Sequence, residues 1–381
     1  MKIVLINTLY YPYRIGGAEV SVQFLAEQFA AIGHDVSVIT LHEKKNRQEE
    51  RINNVNVIYL PLKNIYWPYS NRDVPKIKKI IWHLLDCYNF GMRKKVLNEI
   101  KKNQPDIVHT NNLSGFSVSV WDAIKSLDIR LVHTSRDYYL FHPNSTLFKG
   151  GNVMSETSLS VKFWSKIKKY KTSKVDSYVG ISQFIQKLHT ENKFFPNASK
   201  FVIYNSVKKV LCEPKKDHII RVGFIGRLTL EKGFDEYCNL AKEYINNSSY
   251  TFSAAGNFSN SASNKMLQEL AKHSGIILLG YMDVIDFLNK VDVVILPIKW
   301  NEPFGRTVVE CALAGKLVFT TPVGAMPELS RILPNVIIST SIKEKFVDVM
   351  SSKDWLTSIK TDTEIFEPGE IAEKYIEIYK K

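Results

Sequence analysis

Cysteine is scarce in this sequence, and long apolar runs are missing. The four cysteines are far apart and include no CxxC pair, so neither a zinc site nor a disulfide framework is indicated. No run reaches about 18 apolar residues, and the segment from Met1 to Leu9 turns polar before an apolar signal region could form. These absences predict a cytoplasmic protein that is neither secreted nor membrane-spanning.

Two common phosphate-binding loops are also absent. The first predicted strand is followed by Gly16-Gly17, and the first strand of the second half runs into Gly223-x-x-Gly226-Arg227. Neither stretch is the GxGxxG of a dinucleotide-binding dehydrogenase, and the GxxxxGK[ST] of a nucleoside triphosphatase does not occur. Any bound nucleotide must therefore be held by other residues.

The sequence does contain the pattern of a two-domain α/β protein. Its 381 residues exceed one ordinary core, and 45% hydrophobic with 23% charged residues is typical of a globular fold. Short apolar strands alternate with helical stretches, beginning with a βαβ unit from Ile3 to Thr40 and again from Ile219 onward. This alternation predicts two doubly wound parallel sheets.

The domain boundary is expected where the chain becomes polar. The stretch from Cys212 to His218 interrupts the strand pattern, and we place the domains at 1–207 and 208–381. The last amphipathic segment, Gly369 to Lys381, is compatible with a helix that packs back on the N-terminal domain and equally with a plain C-terminal helix.

The net charge of +13 lies entirely in the first half of the chain. Residues 1–200 contain 29 Lys and Arg against 16 Asp and Glu, whereas residues 201–381 contain 22 of each kind. This asymmetry indicates that one domain faces a polyanion, and anionic lipid, an acidic acceptor and nucleic acid are the candidates.

A strand end followed by two cations predicts a phosphate site in the second half. Arg227 and Lys232 follow the strand that ends at Ile225, and a helix is expected to start near Gly233. Ligands of open α/β sheets bind at that edge, and an arginine fork with a compact lysine can neutralise a diphosphate. The alternative is a pair of solvated surface charges.

Two glutamates seven residues apart follow a later strand. Glu302 lies in the loop after Val293 to Ile298, and Glu310 lies about one turn into the next helix. The two carboxylates can grip different parts of one ligand, and the amides between them can cradle an anion. We predict that the intervening residues contribute to ligand binding: Phe304, Gly305, Arg306 and Thr307. The alternative is a helix cap with a solvated face.

Together these features resemble glycosyltransferase family 4, a retaining family with the GT-B fold, over essentially the whole chain. The resemblance is carried by Gly16-Gly17-Ala18-Glu19, Gly226-Arg227 to Lys232-Gly233, Gly280-Tyr281 and the E-x7-E pair Glu302 and Glu310. It implies two Rossmann-like domains that face each other across a cleft and transfer a sugar from a nucleotide-diphosphate donor.

The resemblance also implies a role for each matching residue. Gly16 and Gly17 would approach the distal phosphate and sugar of the donor, and Arg227 with Lys232 would hold the diphosphate. Glu302 would contact the sugar hydroxyls in the catalytic site. Glu310 would bind the ribose hydroxyls, and backbone near Tyr281 would meet the base.

The sequence departs from the family pattern at two places. The family tends to carry a His-Asp pair after the strand that here is Leu131 to Thr134, and this chain has Arg136-Asp137, which we take as catalytic candidates. Arginine cannot act as a base at neutral pH, but it can steady a phosphate or a developing charge. Asn205-Ser206-Val207-Lys208 replaces the usual Asn-Gly-Val-Asp and is interpreted as a hinge with altered turn chemistry.

Three polar residues at strand ends are candidates for acceptor binding. His109 and Asn111 follow one strand, and His133 ends another and could substitute for the family histidine. A histidine at a strand end is often structural, and a helix cap is the alternative for the first pair.

No metal or other cofactor is expected, because the chain lacks a DxD triplet. The resemblance implies front-face attack in which the leaving diphosphate assists deprotonation of the acceptor. No side chain is needed as a covalent nucleophile.

Basic segments of the first half interleave aromatic residues with lysines. Lys162 to Lys171 contains Phe163, Trp164 and Tyr170, and Lys76 to Lys79 precedes Ile80, Ile81 and Trp82. Such stretches suit an interfacial helix on anionic lipid, so we expect peripheral contact with the inner membrane face and a glycan or polyprenyl-linked acceptor. The alternative is a solvated face with aromatics in the core, and no nucleic acid is expected.

The function that these features favour is glycosyl transfer in cell-surface polysaccharide synthesis. A nucleotide-sugar epimerase of the same fold is the first alternative, and the lack of an obvious acid/base pair argues against it. A non-catalytic basic module that binds nucleotides or nucleic acid is the second.

Overall fold

A computed structural model describes residues 1–13, 16–70, 73–210, 212, 218–258, 264–352 and 364–381. The chain divides into two compact units. The first unit comprises Met1–Leu147, Ser155–Ser206 and Pro368–Lys381, and the second comprises Phe148–Met154 and Val207–Glu367. Most of the predicted linker, residues 213–217, lies outside the described residues.

The helices and strands alternate along the chain. The strands are β1 (Lys2–Ile6), β2 (Asp35–His42), β3 (Gln48–Ile52), β4 (Val55–Pro61), β5 (Ile107–Thr110), β6 (Arg130–Ser135), β7 (Phe148–Lys149), β8 (Asn152–Val153), β9 (Ser177–Gly180), β10 (Ser199–Val202), β11 (Ile220–Ile225), β12 (Tyr250–Ala255), β13 (Ile277–Gly280), β14 (Val293–Leu296), β15 (Leu317–Thr320) and β16 (Val336–Ile338). The α-helices are α1 (Gly17–Ala31), α2 (Lys76–Cys87), α3 (Phe90–Asn103), α4 (Ser119–Lys125), α5 (Leu159–Lys171), α6 (Gln183–Glu191), α7 (Phe234–Glu243), α8 (Asn264–Lys272), α9 (Val284–Leu288), α10 (Arg306–Leu313), α11 (Met326–Ile332), α12 (Ile342–Ser351) and α13 (Pro368–Lys380).

In the first unit, the described strands form an eight-stranded sheet in the order β10-β9-β6-β5-β1-β2-β4-β3. All neighbours are parallel except β3, which pairs antiparallel with β4 at one edge. The central strands are apolar and buried on both faces, as expected for a parallel sheet covered by helices. The predicted doubly wound fold is confirmed, and β3 and β10 are edge strands that the sequence pattern did not indicate.

The last helix, α13, completes the core of the first unit. Its apolar residues are buried with those of α1, and the Tyr379 ring lies 5.5 Å from the Phe29 ring. Although α13 follows the residues of the second unit in sequence, it groups with the first unit. This was one of the two predicted placements. A plain C-terminal helix on the second domain is wrong.

The second unit is built on a separate sheet. Over the described residues it has six strands in the order β13-β12-β11-β14-β15-β16, all parallel. The alternation predicted from Ile219 onward is confirmed, and the strand predicted at Val293 to Ile298 ends two residues earlier, at Leu296. The sequence placed residues 148–154 in the first domain, whereas the hairpin of β7 and β8 pairs outside both large sheets and groups with the second unit.

The helices offer no membrane span. None that the structure describes is both long and apolar enough to cross a bilayer.

Candidate functional site

The loop after β11 carries the two cations predicted to bind phosphate. The half-exposed guanidinium of Arg227 lies 3.5 Å from the Glu231 carboxylate. Lys232 is more enclosed, because its ammonium contacts the Glu302 carboxylate at 2.5 Å and lies 5.2 Å from the centroid of the Trp300 ring. Both cations follow the carboxyl end of a central strand, where open α/β sheets bind ligands.

Gly233 determines how close α7 comes to β14. Its φ of 75° is left-handed, and a Cβ at this position would lie only 1.7 Å from the carbonyl oxygen of Pro297. A side chain is therefore excluded unless the backbone moves, and glycine lets the loop that holds Lys232 pack against the end of β14.

The segment after β14 carries the first glutamate of the E-x7-E pair. The Glu302 side chain is only 12% exposed and is held by Lys232, and the chain then turns at Gly305, whose φ is 86°. Phe304 is buried, with its ring 6.1 Å from the ring of Phe366. The predicted contribution of Phe304 to a ligand site is therefore limited to its backbone.

The second glutamate is held from its own helix. Arg306 begins α10, and its Nε donates to Glu310 Oε1 at 2.8 Å, one turn along, with Thr307 half-buried between them. Burial raises the pKa of the Glu310 carboxyl, the Arg306 charge and hydrogen bond oppose that rise, and exposed Asp283 adds to it. The arginine therefore helps to keep a buried carboxylate ionised.

The predicted base-binding region lies in the loop between β13 and α9. Gly280 ends β13 with a φ of 70°, and Tyr281 is 82% exposed. Asp283 caps α9 by accepting from the Ile285 amide at 2.9 Å, and its charge acts on Glu310. This loop and the start of α10 are therefore near each other.

Gly324 is a site residue that the sequence motifs do not indicate. Its φ is 57°, and a Cβ there would lie 2.3 Å from the carbonyl oxygen of Glu302. The neighbouring Ala325 amide donates to that oxygen at 2.9 Å. The loop after β15 thus clamps the backbone of Glu302, and a lone glycine after a strand is too common a signal to reveal it.

In the first unit, Gly16 and Gly17 lie at the start of α1. The Gly16 amide donates to Glu19 Oε2 at 2.9 Å, and Gly17 is the first helical residue. The helix N-terminus carries partial positive charge, so it favours an anionic ligand. Glu19 itself is buried.

Arg136 is buried and held by two asparagines. Its Nε donates to Asn111 Oδ1 at 2.9 Å, and its Nη1 donates to Asn205 Oδ1. Asp137 accepts the Tyr139 amide at 2.8 Å, and burial raises its pKa to about 6. Asn205, predicted as part of a hinge, lies just before the boundary between the two units at Ser206 and Val207, and it contacts the loop after β6.

His109 does not have the position expected of an acceptor-binding residue. It is fully buried, with Nδ1 2.6 Å from the Tyr379 hydroxyl and Nε2 2.8 Å from Thr134 Oγ1. Burial lowers the pKa of its imidazole well below the usual range. The prediction for His109 is wrong, because both ring nitrogens are used within the core between β5, β6 and α13.

His133 and Asn111 are also enclosed. The His133 ring stacks on Phe195 at 5.5 Å, its Nδ1 lies 2.9 Å from Thr110 Oγ1, and burial lowers its pKa well below the usual range. His133 therefore has a structural role, which was the alternative to the predicted contact with an acceptor. Asn111 is 1% exposed and accepts from Arg136, so its direct contact with an acceptor is not supported either.

A buried lysine is the largest difference from the sequence prediction. Lys168 belongs to the stretch expected to face anionic lipid, but it is 1% exposed. It donates to the Tyr139 carbonyl at 2.7 Å, and its ammonium lies 3.7 Å from the centroid of the Tyr139 ring. Near it, Asp86 accepts the Gly115 amide at 2.7 Å, and burial raises its pKa to about 7. The two residues brace the loop that carries Asp137.

Comparison with known families gives two adjoining matches. Residues 15–209 match the model of Glycosyltransferase Family 4, and residues 220–351 match that of Glycosyl transferases group 1. The first match alone spans half of the chain.

Similar proteins cover most or all of the chain. An uncharacterized 42.6 kDa protein in the cps region of Klebsiella pneumoniae is 49% identical over 382 residues, all of both chains. An uncharacterized glycosyltransferase of Methanocaldococcus jannaschii is 24% identical over 350 residues, which is 86% of this chain and 82% of that protein.

Solved structures share the fold at low identity. Anabaena HepE in complex with UDP and glucose aligns over all of both chains with a TM-score of 0.72 and 16% identity. The sucrose-phosphate synthase of Thermosynechococcus elongatus aligns over all of this chain and 98% of its own, with a TM-score of 0.70 and 15% identity.

Proposed function

The chain belongs to glycosyltransferase family 4, and on that premise we propose that it moves a sugar from a nucleotide-diphosphate donor to a glycan or polyprenyl-linked acceptor. The setting that we propose is cell-surface polysaccharide synthesis, with retention of the anomeric configuration. The cps region in the description of the Klebsiella protein and the UDP complex of HepE support this choice.

One observation carries the proposal, namely the contact between Lys232 and Glu302. The ammonium and the carboxylate are 2.5 Å apart, and both are largely enclosed. A lysine has three N–H donors, so Lys232 can hold this carboxylate and a phosphate oxygen at the same time. The pair would then place phosphate and sugar hydroxyls on either side of the bond that breaks.

When the donor binds, the Arg227–Glu231 pair would rearrange and the Arg306–Glu310 pair would persist. The half-exposed guanidinium of Arg227 lies 3.5 Å from the Glu231 carboxylate and forms a weak surface pair with it. A diphosphate can therefore replace Glu231 as the partner of Arg227. Arg306 is enclosed with Glu310 and would keep that carboxylate ionised for two ribose hydroxyls. With two cations for the diphosphate, we propose that the reaction proceeds without a metal.

The first unit would contribute to the acceptor side of the reaction. Arg136 is fixed by Asn111 and Asn205, and its charge could steady a phosphate or a developing negative charge on a ligand of the first unit. Asp137, whose pKa burial raises to about 6, would be ionised at neutral pH and could accept a hydroxyl hydrogen bond. The leaving diphosphate would take the acceptor proton, so no side chain acts as nucleophile.

Nucleotide binding tests the assignment of the second unit. One of UDP, GDP and ADP should bind with micromolar affinity in a calorimetric titration, and Glu310→Ala should weaken that binding by about 10- to 100-fold, since a pair of charge-assisted hydrogen bonds is lost. Glu344→Gln, an exposed carboxylate on α12, serves as the control and should bind as the wild type does. If Glu310→Ala binds each of the three nucleoside diphosphates with the same affinity as the wild type, Glu310 is not part of the nucleotide site.

The Arg306–Glu310 pair predicts a pH dependence of nucleotide affinity. Protonation removes the carboxylate that accepts ribose hydroxyls, so affinity should fall as pH drops through the pKa of Glu310, which burial already raises. Without Arg306 that pKa rises further, and the fall should begin at higher pH. We expect the nucleotide affinity of Arg306→Ala, measured by titration over a pH series, to begin to fall at a higher pH than that of the wild type.

Arg306→Lys is the matched control for this pH dependence, because it keeps the charge. Its affinity profile should stay close to that of the wild type. If the affinity of Arg306→Ala falls at the same pH as that of the wild type, the pair does not govern the ionisation of Glu310.

A further inference from the structure

Helix α2 presents its apolar side chains to solvent. They recur at spacings of three and four residues, so they form one stripe along the helix. The stripe consists of Ile77, Ile80, Ile81, Leu84 and Leu85, all at least 44% exposed. The opposite side of the helix buries Trp82 and Asp86. A surface helix of a soluble protein normally has the reverse arrangement, with its apolar stripe towards the core.

Helix α5 shows the same inversion. Its exposed apolar side chains recur every three or four residues and are Leu159, Phe163, Ile167 and Tyr170. The side that packs on the unit buries Ser165 and Lys168, with Val161 as its one buried apolar residue. Most apolar residues of this helix therefore lie on the outside as well.

The two helices are neighbours in the first unit. The rings of His83 on α2 and Trp164 on α5 are 6.1 Å apart. The two helices therefore pack side by side, and we call the nine exposed apolar side chains of their stripes the α2–α5 face. Isolated exposed apolar residues are ordinary, whereas a contiguous patch of this kind marks an interaction surface.

Lysines accompany the α2–α5 face. Lys76, Lys78 and Lys79 are exposed on α2, and Lys162 and Lys166 are exposed on α5. Both helices are described in full, and the acidic residue in them, Asp86, is buried. The surface therefore combines apolar side chains with positive charge that no acidic neighbour on the same helices offsets.

This chemistry selects the occupant. We propose that the α2–α5 face docks the protein on an anionic lipid bilayer, with the apolar side chains at the boundary of headgroups and acyl chains and the lysines at the lipid phosphates. A second copy of the chain fits less well, because two-fold pairing of this face would bring the lysines of both copies together. The sequence also predicted contact with anionic lipid through these two helices, but Lys168 is buried and is not part of the surface.

Cosedimentation of the full chain with vesicles tests the proposal. The wild type should bind vesicles of equal phosphatidylglycerol and phosphatidylcholine at low salt and should bind pure phosphatidylcholine far more weakly. A charge variant combines Lys78→Glu, Lys162→Glu and Lys166→Glu. At about fivefold for each lysine, its binding should fall by about 100-fold or more.

An apolar variant tests the insertion of side chains separately from charge. It combines Ile77→Gln, Leu84→Gln and Phe163→Gln, all at exposed positions, so the fold should be retained. Its binding to the anionic vesicles should fall at least about tenfold even though every lysine is present.

Matched controls come from exposed positions of the second unit. The charge control is Lys265→Glu, Lys272→Glu and Lys290→Glu, and the apolar control is Ile245→Gln, Met266→Gln and Val347→Gln. Both controls should bind vesicles nearly as the wild type does. Far-UV circular dichroism and thermal unfolding like those of the wild type would show that all four variants fold.

Three results would overturn the proposal. The first is a wild type that does not bind the anionic vesicles, and the second is a loss in the control variants equal to that in the face variants. The third is a dimer in sedimentation equilibrium that the apolar variant dissociates, because the face would then serve a second copy. None of these results depends on sugar transfer, so the membrane proposal and the proposed reaction fail separately.

Discussion

Replacing Glu302 by glutamine is expected to lower the rate of sugar release from the donor by about 100- to 1,000-fold. The loss of one preorganised charged partner in an enclosed site typically has an effect of this size. Glutamine keeps the shape of the side chain but removes the charge that binds Lys232 and would accept sugar hydroxyls. The measurement is the initial rate of donor hydrolysis without acceptor.

Nucleotide affinity is the internal control for this variant. Lys232 loses its carboxylate partner in Glu302→Gln and remains available to phosphate, so the affinity for the nucleoside diphosphate should be unchanged or higher. Glu344→Gln, on the exposed side of α12, should keep the wild-type rate. A Glu302→Gln variant that retains a third or more of the rate would remove Glu302 from the catalytic site.

Replacing Tyr375 by alanine should strongly lower the free energy of unfolding. The side chain is 1% exposed, its ring lies 6.5 Å from Phe29 and 5.1 Å from His109, and its hydroxyl is 3.1 Å from Thr134 Oγ1. Truncation of a buried aromatic side chain leaves a cavity and lowers the free energy of unfolding by about 3–5 kcal/mol. Thermal or urea unfolding of the purified protein measures this change.

Tyr375→Phe separates the ring from its hydroxyl. It keeps the packing and removes one hydrogen bond, so the expected loss is about 1 kcal/mol. Similar stability of Tyr375→Ala and the wild type would mean that α13 is dispensable to the core of the first unit.

The fold followed from local sequence patterns because short, mainly apolar strands alternate with helical stretches along the chain. The second-unit site was also accessible, since Arg227, Lys232 and the E-x7-E pair lie within short segments that end strands or begin helices. The pairing of Lys232 with Glu302, which are 70 residues apart, could not be predicted. No local pattern specifies which cation contacts which carboxylate.

The histidines show the same limit. His109 looked available at a strand end, but its partner Tyr379 is 270 residues away on α13. In α2 and α5 the apolar periodicity predicts a helix, yet it cannot say which side faces the core. Lys168 was consequently grouped with the lysines expected to face anionic lipid, whereas the structure buries it beside Tyr139.

The central claim is that this chain breaks the bond between sugar and diphosphate at the site of Lys232 and Glu302. It is tested most directly by incubating the wild type with UDP-, GDP- and ADP-sugars without acceptor and identifying the products. We expect slow release of free sugar and the nucleoside diphosphate from one donor, and almost none with Glu302→Gln. Tight binding of a donor without release would indicate a non-catalytic binding module, and conversion of the donor to an epimer would indicate an epimerase; either result would contradict the proposed transfer.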